Sequence, residues 1–585
     1  MLPRMNRAMW ALLLLAGCGA GPAVSHTVPA PPQAAASPSR LASAPGPKQA
    51  ASPVLVLIVV DQLASWVFEQ RRDSFSESGG FRRLLREGTY WPTLRYEHAT
   101  TSTAPGHAAL LTGLPPRESG VFANERLDDA GKPTSMFADP STKVVAVDGF
   151  EGASSSCAVL RADTLADALR AQRPDAQIVA LSLKDRASIP GGGKSPTLAV
   201  WFDADRESFV TSSALADSLP SWFAPQQAQL KRELGSTWRA LDEAWLESHA
   251  TTPDIQAGEG DFGPAVHFPY DLSQAKHRGK AFRGYPGADR AVLSLARAAL
   301  AELPSDGEHD APLLLMLSLS AFDYVGHAHG PDSWESWEVL RELDNELGRF
   351  FDELDLRFHE RLSILLTADH GTAPLPETAG DLRARPWCGG KAVDPFERPC
   401  GKGERLQRAE LSALVEEAAR SALGPGRWLR GVVEPFVYFS PEVAQLPAER
   451  RTRLERACIQ ALENHPGIAK VFSSRALAAP CPPAEVQTLQ ALVCRSLSPD
   501  AGDLYIVSEP GSFFDPNLLA GRGINHGSPY LYDRTVPVLV RAAGARKPGT
   551  VIAQLRPADV TATAAALLHI APPAGAANGR DLTAE

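Results

Sequence analysis

The stretch VLVLIVVDQ, from Val54 to Gln62, decides the fold of this 585-residue chain. Seven consecutive apolar residues, most of them β-branched, stop abruptly at Asp61. A short run that is apolar on both faces is typical of a buried parallel strand in an α/β sheet. Ligands bind beyond the carboxyl ends of such strands, so the aspartate at this end is a candidate functional residue.

Two later stretches repeat this pattern and lie among helical sequences. PLLLMLSLSAFDYVGHAHG covers 312–330 and RLSILLTADHGT covers 361–372, and the sequence from 333 to 354 between them has apolar residues at helical spacing. Alternation of buried strands with helices predicts an α/β protein. We expect a three-layer α/β/α sandwich with a mostly parallel central sheet and inserted cap segments.

All three strand ends carry an aspartate, and two of them also carry a histidine; both side chains are ligands for divalent metal ions. A fourth loop, INHGSPY at 524–530, adds another histidine. The candidate ligands are Asp61, Asp323, His327, Asp369, His370 and His526. Mixed Asp/His sets suit zinc, and their number is what a site of two ions needs.

In order along the chain, the motifs VVDQ, TAPGH, AFDYVGH, TADHG and INHG resemble those of the alkaline phosphatase superfamily. The segment LSLKDRASIPGGG is similar to the phosphate-irrepressible alkaline phosphatases of bacteria, with the nucleotide pyrophosphatase/phosphodiesterase branch as the nearer cousin. The resemblance implies two zinc ions per chain. One would be held by Asp61, Asp369, His370 and the Thr103 oxygen, and the other by Asp323, His327 and His526.

The resemblance places the catalytic nucleophile at Thr103, four residues before His107 in TTSTAPGHAALLTG. Thr103 is expected to be the N-cap of a helix, where backbone N–H groups and the positive end of the dipole suit a phosphoryl group. Thr101 is the alternative nucleophile. His107 is expected to have a structural role.

Three polar residues complete the predicted phosphoryl site. Asn124 matches the asparagine that hydrogen-bonds a non-bridging phosphoryl oxygen in the family. Lys184 and Arg186 are two residues apart, so in an extended chain both would point the same way and Asp185 the opposite way.

His329 lies outside the AFDYVGH motif and is expected to be a loop residue.

Together with the N-terminal sequence described below, the resemblance implies an exported phosphomonoesterase that hydrolyses small phosphate monoesters through a phosphothreonine intermediate. A monoester carries one more negative charge than a diester, and the two cationic side chains could bind that charge. A phosphodiesterase or nucleotide pyrophosphatase, or a metal-stabilised binding protein without turnover, remains the alternative. We expect a monomer without a third, magnesium-type site.

The net charge of −10, from 58 basic and 68 acidic residues, argues against nucleic-acid binding, because an acidic surface gains nothing from counterion release. Hydrophobic content of 44% is ordinary for a globular protein. The partner expected is therefore a small molecule.

The N-terminus predicts export. Two arginines precede a short apolar run, and LAGC at 15–18 resembles a bacterial lipobox that would make Cys18 the lipidated N-terminus and the only membrane anchor. The alternative is a plain secretory signal. Residues 1–18 would be the signal peptide, and 19–52, rich in Ala, Pro and Ser, a disordered tether. The catalytic domain would span 53–585, with insertions after the first strands and around 382–498, in the periplasm or at the cell surface.

Six further cysteines, an even number, fit an oxidising compartment. Sequence proximity favours Cys388–Cys400 and Cys481–Cys494, which leaves Cys157 with Cys458. Six cysteines allow fifteen connectivities, so other pairings remain open.

Overall fold

The computed structural model describes residues 52–584 except for 129, 150–151, 261–264, 304–310, 381–385, 390–393, 478–479, 516–520 and 545–547. The predicted signal peptide at 1–18 and the predicted tether at 19–52 lie outside the described residues, apart from Ser52. Within the described ranges, the helices are too short or too polar to cross a membrane.

A mixed sheet of 12 strands forms the centre of the protein. Its strands, numbered here in chain order, are β1 (Val54–Val60), β2 (Thr89–Arg95), β3 (Ala138–Val145), β4 (Ala153–Ser155), β5 (Gln177–Ser182), β6 (Leu198–Asp203), β7 (Ser208–Ser212), β8 (Leu313–Leu319), β9 (Leu362–Thr367), β10 (Thr535–Arg541), β11 (Gly549–Thr550) and β12 (Gln554–Leu555). Their order across the sheet is β11-β2-β10-β9-β1-β8-β5-β6-β7-β3-β4, and β12 also pairs with β2.

The middle of this sheet is parallel, as the apolar runs predict. Strand β1 lies between β8 and β9 with Val54 opposite both Leu313 and Leu362, and β5 and β6 continue the parallel set. Antiparallel strands flank it, β10 beside β9 and β7 beside β6. The carboxyl ends of β1, β8 and β9 therefore meet at one edge of the sheet.

Helices cover both faces of the sheet, which confirms the three-layer α/β/α architecture. One layer consists of Ser65–Arg71, Gly80–Glu87, Phe223–Glu233, Pro286–Glu302, Ala321–His329 and Trp334–Phe358. The other consists of Thr103–Thr112, Leu165–Gln172, Asp185–Gly192 and Pro557–Leu567. All seven residues of β1 are buried between these layers.

The part of the chain that follows β9 and precedes β10 forms a second, four-stranded antiparallel sheet. Its strands, in spatial order, are Leu429–Val433, Phe436–Phe439, Leu504–Ser508 and Ile468–Ser473. The helices Arg408–Leu423 and Ala448–Glu463 enclose a small core with one of its faces. The other face packs towards the Thr103–Thr112 helix, where the Phe122 and Phe436 rings meet edge to face at 5.4 Å.

Shorter elements connect these parts. The helices are Pro116–Ser119, Glu243–His249, Arg278–Phe282, Pro441–Ala444, Leu489–Ser496 and Leu531–Arg534. The strand pairs are Glu125–Leu127 with Pro133–Ser135, Thr237–Trp238 with Tyr270–Asp271, and Arg405–Leu406 with Phe513–Phe514.

Two of the three favoured disulfides form, Cys388–Cys400 and Cys481–Cys494. The third pairing is wrong, because both remaining cysteines in the described part of the chain are free thiols. Cys458 is buried in the core of the four-stranded sheet, where its Sγ donates to the Val415 carbonyl. Cys157 lies beside the Asp185–Gly192 helix, with its Sγ 3.3 Å from the Gly193 carbonyl oxygen.

Candidate active site and metal centre

Three carboxylates meet at the edge where β1, β8 and β9 end. Asp61 directly follows β1, Asp369 follows β9 by two residues, and Asp323 lies in the first turn of the helix after β8. All three side chains are almost completely buried. Neighbouring parallel strands bring them together, as the pattern of strand ends predicts.

Three histidines surround the carboxylates and are oriented alike. In each ring Nδ1 lies within hydrogen-bonding distance of a backbone carbonyl, which can only accept, so Nδ1 carries a proton and Nε2 is the nitrogen left for the centre. The pairs are His327 with Ile524 at 2.8 Å, His370 with Gly371 at 3.1 Å, and His526 with Thr101 at 2.9 Å. Metal-binding histidines are oriented in this way.

These side chains form two overlapping sets with ligand atoms within 4.8 Å of one another, Asp61/Asp369/His370 and Asp323/His370/His526. His327 joins the second set through Asp323, whose Oδ1 lies 3.3 Å from its Nε2. The His370 and His526 rings stack at 3.7 Å, so His370 lies between the two sets. All six predicted protein side chains are therefore close together.

The first set fits a cation by its chemistry. Asp61 Oδ1, Asp369 Oδ2 and His370 Nε2 are buried and form no hydrogen bond of good geometry within the described residues. Their near neighbours are each other, at 3.4 and 3.5 Å from Nε2 to the two oxygens, and His107 Nδ1, 3.1 Å from Asp369 Oδ2. Burying such atoms is costly unless something neutralises and coordinates them. Carboxylate oxygen and imidazole nitrogen are suitable donors for a divalent transition metal ion.

Lys184 extends into the middle of this acidic site. Its Nζ lies 2.5 Å from Asp61 Oδ2, 2.5 Å from Asp323 Oδ2 and 3.2 Å from Thr103 Oγ1. Although burial lowers the pKa of Lys184, the Asp323 and Asp61 carboxylates raise it above its usual value. Burial raises the pKa of both carboxyls, and the Asp323 charge also raises that of Asp61. Lys184 and the neighbouring histidines together outweigh this, so both pKa values lie below their usual range.

The stacked histidines differ in charge. Burial lowers the pKa of His370, but Asp369 and Asp61 outweigh it and raise that pKa to about 9. Burial and the neighbouring His370 lower the pKa of His526 to about 3. One protonated and one neutral imidazole therefore face the carboxylates at neutral pH.

Thr103 lies beside this centre but is not the N-cap of its helix. It is the first residue of the Thr103–Thr112 helix, and Ser102 takes the N-cap position. Asn124 Oδ1 accepts the Ala104 N–H at 2.9 Å, which fixes the carboxamide at the helix N-terminus and leaves its NH₂ group as a donor. His107, expected to be structural, contacts the Thr103 carbonyl at 2.9 Å and Ser318 Oγ at 3.1 Å.

Arg186 departs from the extended geometry that the sequence predicts. The chain turns into the Asp185–Gly192 helix directly after Lys184, so Arg186 lies in a helical turn. Asp185 does point away, accepting hydrogen bonds from Ser135 and Ser155. Burial lowers the pKa of Arg186, but Tyr324, Asp185 and the more distant Asp61 and Asp323 raise it above its usual value, so the guanidinium group is charged.

Sequence reasoning missed two residues of this centre. The Gln62 backbone N–H donates to Asp369 Oδ1 at 3.2 Å, and its Nε2 donates to Asp323 Oδ1 at 3.1 Å, so one residue links two ligand carboxylates. Gln62 adopts a left-handed φ of 68°. Its position directly after Asp61 was the one feature of the sequence that could have marked it as part of the site. The Tyr324 ring lies 4.9 Å from Lys184 Nζ.

The prediction for His329 is wrong. It is the last residue of the Ala321–His329 helix and is buried, rather than lying in an exposed loop. The helix continues to His329, two residues beyond His327, and ends at Gly330, which has a φ of 82°.

The chain matches the family model of type I phosphodiesterases/nucleotide pyrophosphatases over residues 55–527. It belongs to that family. It is 30% identical over 544 residues to alkaline phosphatase PhoK of Sphingomonas sp., covering 90% of each chain. Alkaline phosphatase PhoV of Synechococcus elongatus is 28% identical over 542 residues, covering 90% of this chain and 92% of PhoV.

A solved structure of the alkaline phosphatase PafA has the same fold. Its TM-score is 0.79 at 24% identity, over 92% of this chain and 99% of PafA. The protein is thus an enzyme of the alkaline phosphatase superfamily, and the resemblance inferred from its motifs is confirmed.

Proposed function

We propose that this protein is an exported, zinc-dependent phosphomonoesterase that hydrolyses small phosphate monoesters through a phosphothreonine intermediate. The observation that carries the proposal is the position of Thr103 Oγ1, at a helix N-terminus and 3.2 Å from an ammonium group that bridges two ligand carboxylates. The relatives named alkaline phosphatases support the same activity.

The residues that would hold the metal ions are those of the predicted sets. Asp61, Asp369, His370 and Thr103 would hold one zinc ion, and Asp323, His327 and His526 the other. Bound there, two zinc ions supply Lewis-acid stabilisation of the charge on the reacting oxygens.

Each polar residue of the chain has a distinct part in the reaction. Thr103 Oγ1 attacks phosphorus as the bond to the leaving alcohol breaks, and water then hydrolyses the phosphothreonine ester to free phosphate and threonine. Asn124 NH₂, Lys184 and Arg186 donate to the non-bridging oxygens. Most of the rate enhancement comes from this positioning and charge stabilisation.

Export and localisation are part of the proposal. Residues 1–18 act as a lipoprotein signal peptide, Cys18 anchors the chain at the cell surface or in the periplasm, and 19–52 tether a monomeric catalytic domain formed by 53–585. The two disulfides support an oxidising compartment.

A phosphodiesterase is the second candidate, because the matching family model is that of phosphodiesterases and nucleotide pyrophosphatases. The buried ammonium of Lys184 favours the monoesterase, since it could compensate the extra negative charge of a monoester.

The nucleophile is tested by replacing Thr103→Ala. We expect turnover of p-nitrophenyl phosphate to fall by at least about three orders of magnitude, with zinc content unchanged, because the other ligands remain. Thr101→Ala is the matched control, since its Oγ1 donates to the Ser528 carbonyl at 2.8 Å. If Thr101→Ala abolished turnover and Thr103→Ala did not, the nucleophile would be Thr101.

Metal dependence is tested on the same enzyme. Dialysis against a strong chelator should abolish activity and lower the unfolding temperature, and zinc, but not magnesium alone, should restore both. Full activity in a metal-free preparation would contradict the proposal.

A further inference from the structure

A second group of metal-ligating side chains lies away from Thr103. Glu259, His329 and Glu335 are buried, and each offers one ligand atom within 4.8 Å of the others. They come from three separate segments: a loop, the last residue of the Ala321–His329 helix, and the second residue of the Trp334–Phe358 helix. None of them has a role in the proposed reaction.

The charge of this group is poorly compensated. In the described ranges, neither glutamate forms an ion pair with a lysine or arginine. His329 Nδ1 lies 3.9 Å from Glu335 Oε2. Glu335 is completely buried, and its Oε2 has no hydrogen-bond partner among the described residues. Burial raises the pKa of Glu259 to about 9 and that of Glu335 to about 7. In their ionised form two carboxylates buried this close together need a cation between them.

Neighbouring donors hold both carboxylates in place. Tyr270 donates its hydroxyl proton to Glu335 Oε1 at 2.7 Å, which leaves Oε2 facing His329. Gln256 donates to both oxygens of Glu259, from its backbone N–H at 3.2 Å and from its Nε2 at 2.9 Å. Hydrogen bonds of this kind orient ligands around a metal ion.

We propose that Glu259, His329 and Glu335 bind a third divalent cation of the zinc class. An imidazole nitrogen with two carboxylate oxygens suits zinc, whereas calcium and magnesium prefer oxygen ligands throughout. Water would complete the coordination shell. The site is structural, since it joins two helices and a loop.

The cation would also support the catalytic centre. The Gly260 N–H donates to the Ala328 carbonyl, and the Gly523 N–H donates to the Gly258 carbonyl, both at 2.7 Å. Residue 524 follows directly, and its carbonyl orients His327. A cation that holds Glu259 would therefore steady the loop around it. This loop contacts the helix of His327 through Ala328 and the segment that leads to residue 524 through Gly523.

The test is the zinc content of full-length protein that is stripped with a chelator, reloaded with zinc and freed of excess metal. We expect Glu335→Gln and Glu259→Gln each to bind one zinc ion fewer per chain than wild type, by elemental analysis. Zinc should also raise their unfolding temperature less than that of wild type. Glu338→Gln is the matched control: this buried glutamate on the same helix accepts the Leu241 N–H at 2.6 Å.

Equal zinc content and an equal zinc-induced shift in wild type, Glu335→Gln and Glu259→Gln would overturn the inference. If both glutamine variants fail to fold, His329→Gln takes their place with the same expected loss. Thr103→Ala should keep the full zinc content of wild type, so failure of the catalytic proposal would be seen separately.

Discussion

At the scale of single residues, Lys184 has the environment of a cation-binding site. Its ammonium group bridges carboxylates that belong to the two predicted zinc sets. In the metal-free protein, the positive charge of Lys184 therefore balances carboxylates that metal ions would otherwise neutralise. Once metal ions neutralise those carboxylates, the same ammonium group is available to a dianionic phosphoryl group. If the proposed function holds, substrate preference and metal binding both depend on this one side chain.

Replacing Lys184→Ala should reduce kcat/KM for p-nitrophenyl phosphate about 10- to 100-fold more than for bis(p-nitrophenyl) phosphate. A charge-assisted hydrogen bond contributes about 1.5–3 kcal/mol, and the diester lacks the second charge that it binds. Steady-state kinetics on both esters measures the difference. Lys194→Ala, which removes an exposed lysine paired with Asp163, is the control. Equal losses on both substrates would favour the phosphodiesterase.

His370 predicts a pH dependence of metal binding. In the metal-free protein Asp369 and Asp61 outweigh burial and raise the pKa of His370 to about 9, so its Nε2 is protonated at neutral pH. A metal ion needs that lone pair, so zinc binding should release this proton at pH 7, and apparent affinity should rise with pH until about 9. Titration calorimetry in buffers of different ionisation enthalpy measures the release. No proton release at pH 7 would contradict the assignment.

At the scale of secondary-structure elements, the Thr103–Thr112 helix is held in close contact with the end of β9. A Cβ added at Gly106 would lie 2.2 Å from the Asp369 backbone oxygen, closer than any carbon can approach. The absence of a side chain there lets the N-terminus of the helix reach a metal ligand. The position of Thr103, the proposed nucleophile, thus depends on one glycine.

Gly106→Ala should lower kcat and destabilise the protein by about 1–3 kcal/mol, because the helix must move away from Asp369. Urea unfolding and turnover measure the two effects. Gly401→Ala, where an added Cβ meets no atom within 4 Å in the described chain, should change neither. Wild-type turnover in Gly106→Ala would show that the close contact does not set the geometry.

The ends of β1, β8 and β9 could be predicted because a buried parallel strand requires a local run of apolar residues. The aspartate that is a candidate metal ligand follows each run within a few residues. The helical position of Arg186 was not, since Pro190 and two glycines in the Asp185–Gly192 helix disguise the helical pattern. The bridging role of Gln62 and the burial of His329 depend on residues far apart in sequence, which leave no periodic signal. Sequence proximity predicted two disulfides and failed for the two cysteines that lie in different cores.

At the scale of the whole molecule, the part of the chain that follows β9 and precedes β10 contacts the residues just before Thr103. Ser496 Oγ accepts the N–H groups of Ala99 and Thr100, at 2.8 and 3.2 Å, and Arg495 donates to the Glu97 carbonyl. These residues directly follow Cys494, which the disulfide to Cys481 fixes. The inserted segment therefore holds the chain that leads into Thr103.

Removing Cys481–Cys494 by a double serine substitution should lower both stability and kcat. The matched control removes Cys388–Cys400, which closes a loop of similar length, with separations of 13 and 12 residues. Chain entropy predicts a loss of about 3 kcal/mol from each, but only the first pair lies next to Ser496. Thermal unfolding and turnover separate the effects, and an equal fall in kcat for both would contradict this coupling.

Strand β1 is the first described strand of the chain, yet its neighbours in the sheet begin at residues 313 and 362. During synthesis, this uninterrupted apolar strand therefore stays unpaired until the chain has been made to residue 313 for one partner and to residue 362 for the other. Pairing over such sequence separations is slow, and apolar strands exposed in the interval are prone to aggregate. Refolding yield should therefore fall steeply with protein concentration, and productive biogenesis should depend on holding the early segment apart from other copies until the later strands emerge.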